Sequence, residues 1–394
     1  MGKVKVLTAR QAADLIKDGD TVTLSGFVAN GIAEALNTAA EERFLETGHP
    51  RDLTLFWVAG TGNKDGSHAD HYAHEGMVKK VIGGHFNFVP KICEMLSENK
   101  IEGYNVPQGA IAQMLRDNAA HKVGTISHVG IGTFADPRNG GGRLSEKTKE
   151  DIVKIIELEG QEQLFYPRIP MDVAFIRGTY ADELGNITLE KEMAPLDATS
   201  QAMAVHNNGG LVVVQVERVV KAGHLDPKLV KIPGIYVDAV VECPADDPKQ
   251  SQSINCTYDP AYAGNTQVPV SSLEPKKLDA KKIIGRRAAM ELKKNVVVNL
   301  GVGVPEWVSS VAAEEGVADE MTLTVECGPV GGVPGGGLRF GGSVNAQAYM
   351  DEGYQFDFYD GGGLDLCFLG LAEVDNNGDV NVSRLGTRIT GSGG

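Results

Sequence analysis

One run of residues occurs twice in this chain, and that repetition limits the possible folds more than any single motif. Arg10–Ile32, RQAADLIKDGDTVTLSGFVANGI, has its counterpart in Arg286–Val308, RRAAMELKKNVVVNLGVGVPEWV. Each reads as a helix, a turn, an apolar strand and a glycine-bearing loop, with Gly301 set against Gly26. LTLFWVAG (Leu53–Gly60) returns as MTLTVECG (Met321–Gly328), which places Glu326 where the first copy has Val58. A third block pairs DVAFIRGTYADELGNITL (Asp172–Leu189) with DLCFLGLAEVDNNGDVNV (Asp365–Val382), matching Asp172, Phe175, Asp182 and Gly185 to Asp365, Phe368, Asp375 and Gly378. Three blocks in one order require two homologous units.

Within the first copy, Thr8 caps a helix running to about Lys17, and Asp18-Gly19-Asp20 turns the chain into a strand at Thr21–Leu24. A helix follows around Ile32–Phe44, then a strand at Leu53–Val58. Strand, helix, strand in alternation is the pattern of an α/β fold with a largely parallel sheet. The expected architecture is therefore two homologous open-sheet α/β domains, over residues 1–242 and 279–394, joined by a linker at 243–278 that is polar, proline-bearing and aperiodic. After Leu189 the first copy continues through a helix near Ala198–Val205 and strands at Leu211–Val216 and Ile235–Val241, whereas after Val382 only SRLGTRITGSGG remains. The second domain is thus expected to be incomplete, with an open sheet edge beside Leu366–Leu369.

The net charge of −15 argues against nucleic acid or an anionic membrane as a partner, so an anionic ligand needs a local site. No stretch has the roughly 18 uninterrupted apolar residues of a membrane helix. The five cysteines, Cys93, Cys243, Cys256, Cys327 and Cys367, form no C-x-x-C pair and no disulfide framework, which fits a reducing cytoplasm.

Glu326 stands out on chemical grounds. It ends an apolar strand, where a carboxylate loses hydration, and the Gly/Pro-rich run Gly328–Gly342 after it lets a ligand or another backbone approach. It is either a strand cap for loop N–H groups or a reactive carboxylate, and the apolar Val58 in the other copy favours reactivity. Leu300–Glu306, LGVGVPE, is either an anion-binding helix start or a structural turn. Lys281, Lys282, Arg286 and Arg287 read as a solvated helix face. His68, His71 and His74 recur every third residue, but positions six apart on a helix do not share a face, so they read as a polar loop or helix surface and no metal site is assigned. DNNGD (Asp375–Asp379) reads as a hairpin turn.

Taken together, GRRAAMEL, VNLGVGVPEWVSSV, TVECG, YDGGGLDLCFLGLAEVD, YNVPQGAIAQMLRD and IPGIYVD resemble the family I coenzyme A transferases, in particular the propionate (acetate/lactate) CoA-transferase branch, over the whole chain. The resemblance implies an enzyme that moves CoA between a short-chain acyl-CoA and a short-chain carboxylic acid by ping-pong kinetics through a glutamyl-CoA thioester. It puts the catalytic glutamate at Glu326, followed here by Cys327 where serine is common, and an active-site glutamine at Gln108. It puts an oxyanion-donating glycine within Thr390–Gly394, hence Gly391, Gly393 or Gly394, and CoA contacts at Gly301, Gly303 and Gly328. It further implies no permanently bound cofactor, CoA as substrate, acyl-CoA and short-chain carboxylates as partners, and a homo-oligomer. A thioesterase on the same scaffold, or a non-catalytic sensor or regulatory subunit, are the alternative readings.

Overall fold

The computed structural model describes residues 2–269 and 274–393. The first half is built on an eight-stranded sheet whose pairings are all parallel. Its strands are β1 (Lys5–Leu7), β2 (Thr21–Leu24), β3 (Leu53–Trp57), β4 (Val78–Gly83), β5 (Glu102–Asn105), β6 (Val173–Arg177), β7 (Leu211–Val216) and β8 (Ala239–Glu242), in spatial order β1-β8-β7-β6-β2-β3-β4-β5. Both faces are covered, and the period of two along each strand feeds two cores. Leu53, Leu55 and Trp57 of β3 pack with Val22, Leu24 and Val81 on one face, under α1 (Ala9–Ala13) and α2 (Glu34–Thr47). Phe56 points the other way, to Ile82, Ala174, Ile176, Val212 and Val214. That second face carries α4 (Gln108–Ala119) and α5 (Ala198–Asn207), while α3 (Pro90–Ser97) links β4 to β5.

The second half holds α6 (Ala280–Ala289), β9 (Val297–Leu300), α7 (Glu306–Glu314), β10 (Thr322–Thr324), β11 (Pro329–Val330), β12 (Ala348–Tyr349), α8 (Glu352–Asp360) and β13 (Leu366–Phe368). Its sheet runs β12-β11-β10-β9-β13, with β10, β9 and β13 parallel and β11 and β12 antiparallel. The repeat shows in the register itself. Thr21 pairs with Thr54 across β2/β3, and Val297 with Thr322 across β9/β10; Val22 pairs with Val173, and Val298 with Leu366. Side chains repeat too: the N–H of Thr21 donates to Asp172, as that of Val297 donates to Asp365, each at 2.8 Å. In the turns, Asp182 accepts from the N–H groups of Leu184 and Asn186, and Asp375 from those of Asn377 and Asp379. The DNNGD segment is the expected hairpin turn, between Glu373–Val374 and Val380–Asn381.

Several expectations need correction. α1 ends at Ala13 because the chain passes into tight turns, Leu15 and Ile16 donating to Ala12 and Ala13, before Asp20 captures the N–H of Lys17 at 2.8 Å. Gly301 occupies the place of Ser25, not Gly26: the N–H of Ser25 donates to Phe175 O and that of Gly301 to Phe368 O. The polar segment after β8 is no free tether, since Gln250, Gln252 and Ser253 are buried and Gln215 donates to Gln250 at 2.7 Å. Among the described residues nothing pairs with the outer edge of β13, the open edge expected beside Leu366–Leu369.

Candidate active site

The two sheets point the carboxyl ends of their strands at each other, the position where open α/β sheets bind ligands. A cavity of about 530 Å³ lies there, reached by residues that follow β3 (Gly60), β4 (His85), β5 (Gln108), β9 (Gly301, Gly303), β10 (Glu326) and β13 (Leu369–Leu371). The last described residues close one side. Thr390 O accepts from Phe86 N, the N–H of Ser392 donates to Asn105, and Ile389 is buried in the first core.

Glu326 stands at the end of β10, half-buried, with its carboxyl in the cavity. Asn299 on β9 donates to its Oε2 at 3.3 Å. Loss of hydration pushes the Glu326 carboxyl above the usual carboxylate range, and the Asn299 hydrogen bond partly opposes this. Asn299 is itself held: its Nδ2 is 3.4 Å from Tyr359 Oη, and that hydroxyl donates to Thr324 and accepts from Gln355. The polar row Asn299–Tyr359–Thr324 runs across otherwise apolar strands. Cys327, next in sequence, is fully buried, donates to Gly341 O at 3.3 Å, and has its thiol pushed far up by burial, so it stays protonated and inert.

Gln108 opens α4 and lines the cavity at only 2 % exposure. Its Nε2 donates to Glu352 on α8 at 2.5 Å, and its backbone N–H donates to Gly393 O at 3.3 Å. The two halves meet tightly here: the α-carbon of Gly109 faces the Phe356 ring, where an added Cβ would lie 2.5 Å from Cδ1. Arg116 pairs with both carboxylate oxygens of Asp357 at 2.7 and 3.1 Å. His85 also lines the cavity. Burial lowers its imidazole to about 4, so it is neutral at pH 7 and donates Nδ1–H to Gly391 O at 3.1 Å. At the cavity wall Lys64 and Arg388 bring positive charge into a chain of net −15, Arg388 donating to Asn87 at 3.1 Å.

The structure brings together Glu326, Gln108, Gly301, Gly303 and Gly393, but not every expected residue. Gly328 turns away from the cavity: its φ is +136°, and an added Cβ would lie 2.2 Å from Met350 O, so this glycine serves the turn after the strand. The N–H of Gly391 donates to Ser383 O at 2.9 Å and that of Gly393 to Gly84 O at 3.0 Å, so both are spent on holding the segment. Gly394 lies outside the described residues. At the Gly301–Gly303 loop, Glu306 accepts from Gly303 N at 2.7 Å and from Gly337 N at 3.0 Å, so the turn before α7 supplies its own anion. Lys282, Arg286 and Arg287 pair with Glu314, Glu315 and Glu291.

The histidine run is not a surface. His68 is fully buried, and His71 bridges Glu34 at 2.7 Å to Glu41, which also takes His74 at 2.7 Å. Among the described residues no group of three or more His, Cys, Asp or Glu side chains is arranged to hold a metal ion, and no helix is long and apolar enough to cross a membrane. Sequence reasoning missed Asn299, Tyr359, Glu352 and His85. Only Asn299 left a trace, as the one polar residue in VVVNL.

Residues 6–243 match the family model described as Coenzyme A transferase. The chain is 44% identical over 396 residues to the acetate CoA-transferase YdiF of Escherichia coli (strain K12), covering all of this chain and 74% of that protein. It is 42% identical over 395 residues to the caffeate CoA-transferase of Acetobacterium woodii, covering 99% of this chain and 75% of that one. Among solved structures, the acyl-CoA transferase YdiF apoenzyme from Escherichia coli O157:H7 superimposes with a TM-score of 0.92 at 42% identity, covering 100% of this chain and 74% of that chain. The same enzyme in its thioester complex with CoA superimposes with a TM-score of 0.91 at 42% identity, covering 99% and 73%.

Proposed function

The chain belongs to the coenzyme A transferase family and is a CoA-transferase, and from that premise we propose that Glu326 is its nucleophile, passing CoA between a short-chain acyl-CoA and a short-chain carboxylic acid. The observation that carries this is the Glu326 carboxyl, poorly hydrated and held by Asn299, in the cavity between the facing strand ends. A carboxylate in water is a weak nucleophile, but one stripped of hydration is activated.

Its oxygen attacks the thioester carbonyl, and collapse of the tetrahedral adduct breaks the C–S bond, giving a mixed anhydride and CoA thiolate. The thiolate then attacks the Glu326 carbonyl and expels the free acid, leaving a glutamyl-CoA thioester. A second acid reverses the sequence and leaves as its CoA ester. Both ends of the exchange are thioesters, so the energy of the C–S bond is conserved and the reading needs no permanently bound cofactor. Gln108 is the oxyanion donor in this reading, a role in which one group typically contributes about 3 to 4 kcal/mol. Gly301 and Gly303 border the thioester end, and Lys64 and Arg388 supply charge for the anionic substrate.

Acetate is the first acceptor to try, given the relative that carries it in its name. The same reading places the enzyme in the cytoplasm as a homo-oligomer, with units at 1–242 and 279–394 and a connecting segment at 243–278. Initial rates with propionyl-CoA and acetate test it: parallel double-reciprocal lines are expected, whereas intersecting lines contradict a covalent intermediate. Hydrolysis of the acyl-CoA at the same rate without an added acid marks a thioesterase instead.

A further inference from the structure

Gln108 does not stand alone. Its amide rests on Glu352, the first residue of α8, and behind Glu352 lies a second carboxyl from another part of the chain, Asp197 at the start of α5. All three are nearly dry, at 2 %, 1 % and 5 % exposure. Asp197 is placed to cap its own helix, which would stabilise it by about 1 kcal/mol, yet its side chain accepts no N–H from α5. Instead it faces Glu352, whose backbone N–H donates to Leu196 O at 3.1 Å, and Asp197 Oδ1 is buried with no donor of its own among the described residues. Two carboxyl groups in contact away from water cannot both be ionised, so one proton lies between them. The charged groups around the pair do not change this. Arg116 on α4 is committed to Asp357, Asp351 lies 3.7 Å from Lys231, and Glu326 and the protonated Cys327 add no positive charge.

A primary amide has two faces, and only one helps catalysis. Glu352 Oε1, with the shared proton on the far side, is an acceptor and takes Gln108 Nε2 at 2.5 Å. That contact fixes which end of the amide carries the N–H groups. A flipped amide would offer its carbonyl oxygen to the developing oxyanion, and two lone pairs would repel.

We propose that Asp197 and Glu352 act as a proton-sharing pair that positions the Gln108 amide, so that its remaining N–H donates to the oxyanion formed at Glu326. Both are positioning residues, and the proposal rests on the reading of Glu326 and Gln108 given above. It also predicts a pH dependence: when the shared proton is lost, two adjacent negative charges distort the support of Gln108 and kcat falls on the alkaline side.

A double-mutant cycle tests it on the full chain with propionyl-CoA and acetate. Gln108→Ala is expected to lower kcat about 100-fold and Glu352→Ala about tenfold, with KM for propionyl-CoA changed less than about threefold. The double variant should be no slower than Gln108→Ala within about twofold, because Glu352 acts through Gln108. Glu352→Gln, which still accepts from Gln108 and donates to Asp197, should recover most of the loss. Asp197→Asn should remove the alkaline fall of kcat that the unmodified enzyme shows. Multiplied losses in the double variant overturn the proposal. So does an alkaline limb that survives Asp197→Asn, or a Glu352→Gln variant as slow as Glu352→Ala. If Glu352→Ala does not fold, the pH profiles of the two conservative variants decide. Failure of the premise is distinct, because exchange would then persist in Glu326→Gln whatever the cycle shows.

Discussion

Place the two copies of the repeat side by side at the end of the equivalent strand, β3 in one and β10 in the other. The first copy has Val58, buried and apolar beside Phe56 in the second core of its sheet. The second has Glu326, with its carboxyl in the cavity. One strand inward, Thr23 of the first copy accepts a hydrogen bond from Gln201 at 3.0 Å, while Asn299 of the second donates to Glu326 at 3.3 Å. Backbone register and turn chemistry are the same in both. The same scaffold therefore builds a wall in one copy and a cavity-lining carboxyl in the other, and the difference lies in a few side chains whose placement the shared backbone already supplies.

The strongest way to break this comparison is to exchange the strand ends. Glu326→Gln should cut exchange at least about 10⁴-fold, and Val58→Glu in that background should not restore it, because the residue equivalent to Asn299 is Thr23, engaged with Gln201, and Val58 does not line the cavity. Val58→Glu alone should also destabilise the protein by about 3 kcal/mol or more through an unpaired buried carboxyl, read by urea denaturation. Asn299→Thr, which imports the residue of the first copy, removes a hydrogen bond to a charged group of about 1.5 to 3 kcal/mol. Transfer is expected to slow by about 10- to 100-fold, with a native melting profile.

A smaller effect separates the halves by pH. Burial raises the Asp197 carboxyl from its ordinary value to about 7. A carboxyl whose folded value is raised contributes stability that is complete at acid pH and is lost as pH rises through the folded value. The melting temperature should therefore fall by a few degrees between about pH 4 and 7, and Asp197→Asn should flatten that decline. The smallest effect is expected at Cys327. Its thiol is protonated and directed at Gly341, so Cys327→Ala should leave transfer within about threefold of the unmodified enzyme.

The strand positions and the two-copy plan were legible because period-two apolar runs and turn residues are local signals: Thr21–Leu24 and Leu211–Val216 fall where the pattern places them. Glu326 was legible because a carboxylate ending an apolar strand is costly, and the other copy shows that the fold does not need it. The companions of that site were not. Asp197, Gln108 and Glu352 lie far apart in sequence, and each is an ordinary polar residue at a helix start until packing of α8 on α4 brings them together. The antiparallel β11 and β12 escaped notice because two-residue strands carry no periodicity. His68 looked like surface because burial of a neutral imidazole beside Trp57 is a tertiary event.

The central claim is that the chemical difference between the copies resides in one carboxyl group, and covalent capture reads it directly. The protein is incubated with propionyl-CoA without an acceptor, quenched at acid pH, digested and mapped by mass spectrometry. The account predicts the mass of CoA on Glu326 in the peptide containing TVECG, lost when acetate is added before the quench and absent in Glu326→Gln. A CoA adduct on Cys327, or continued exchange with no adduct at Glu326, would contradict it.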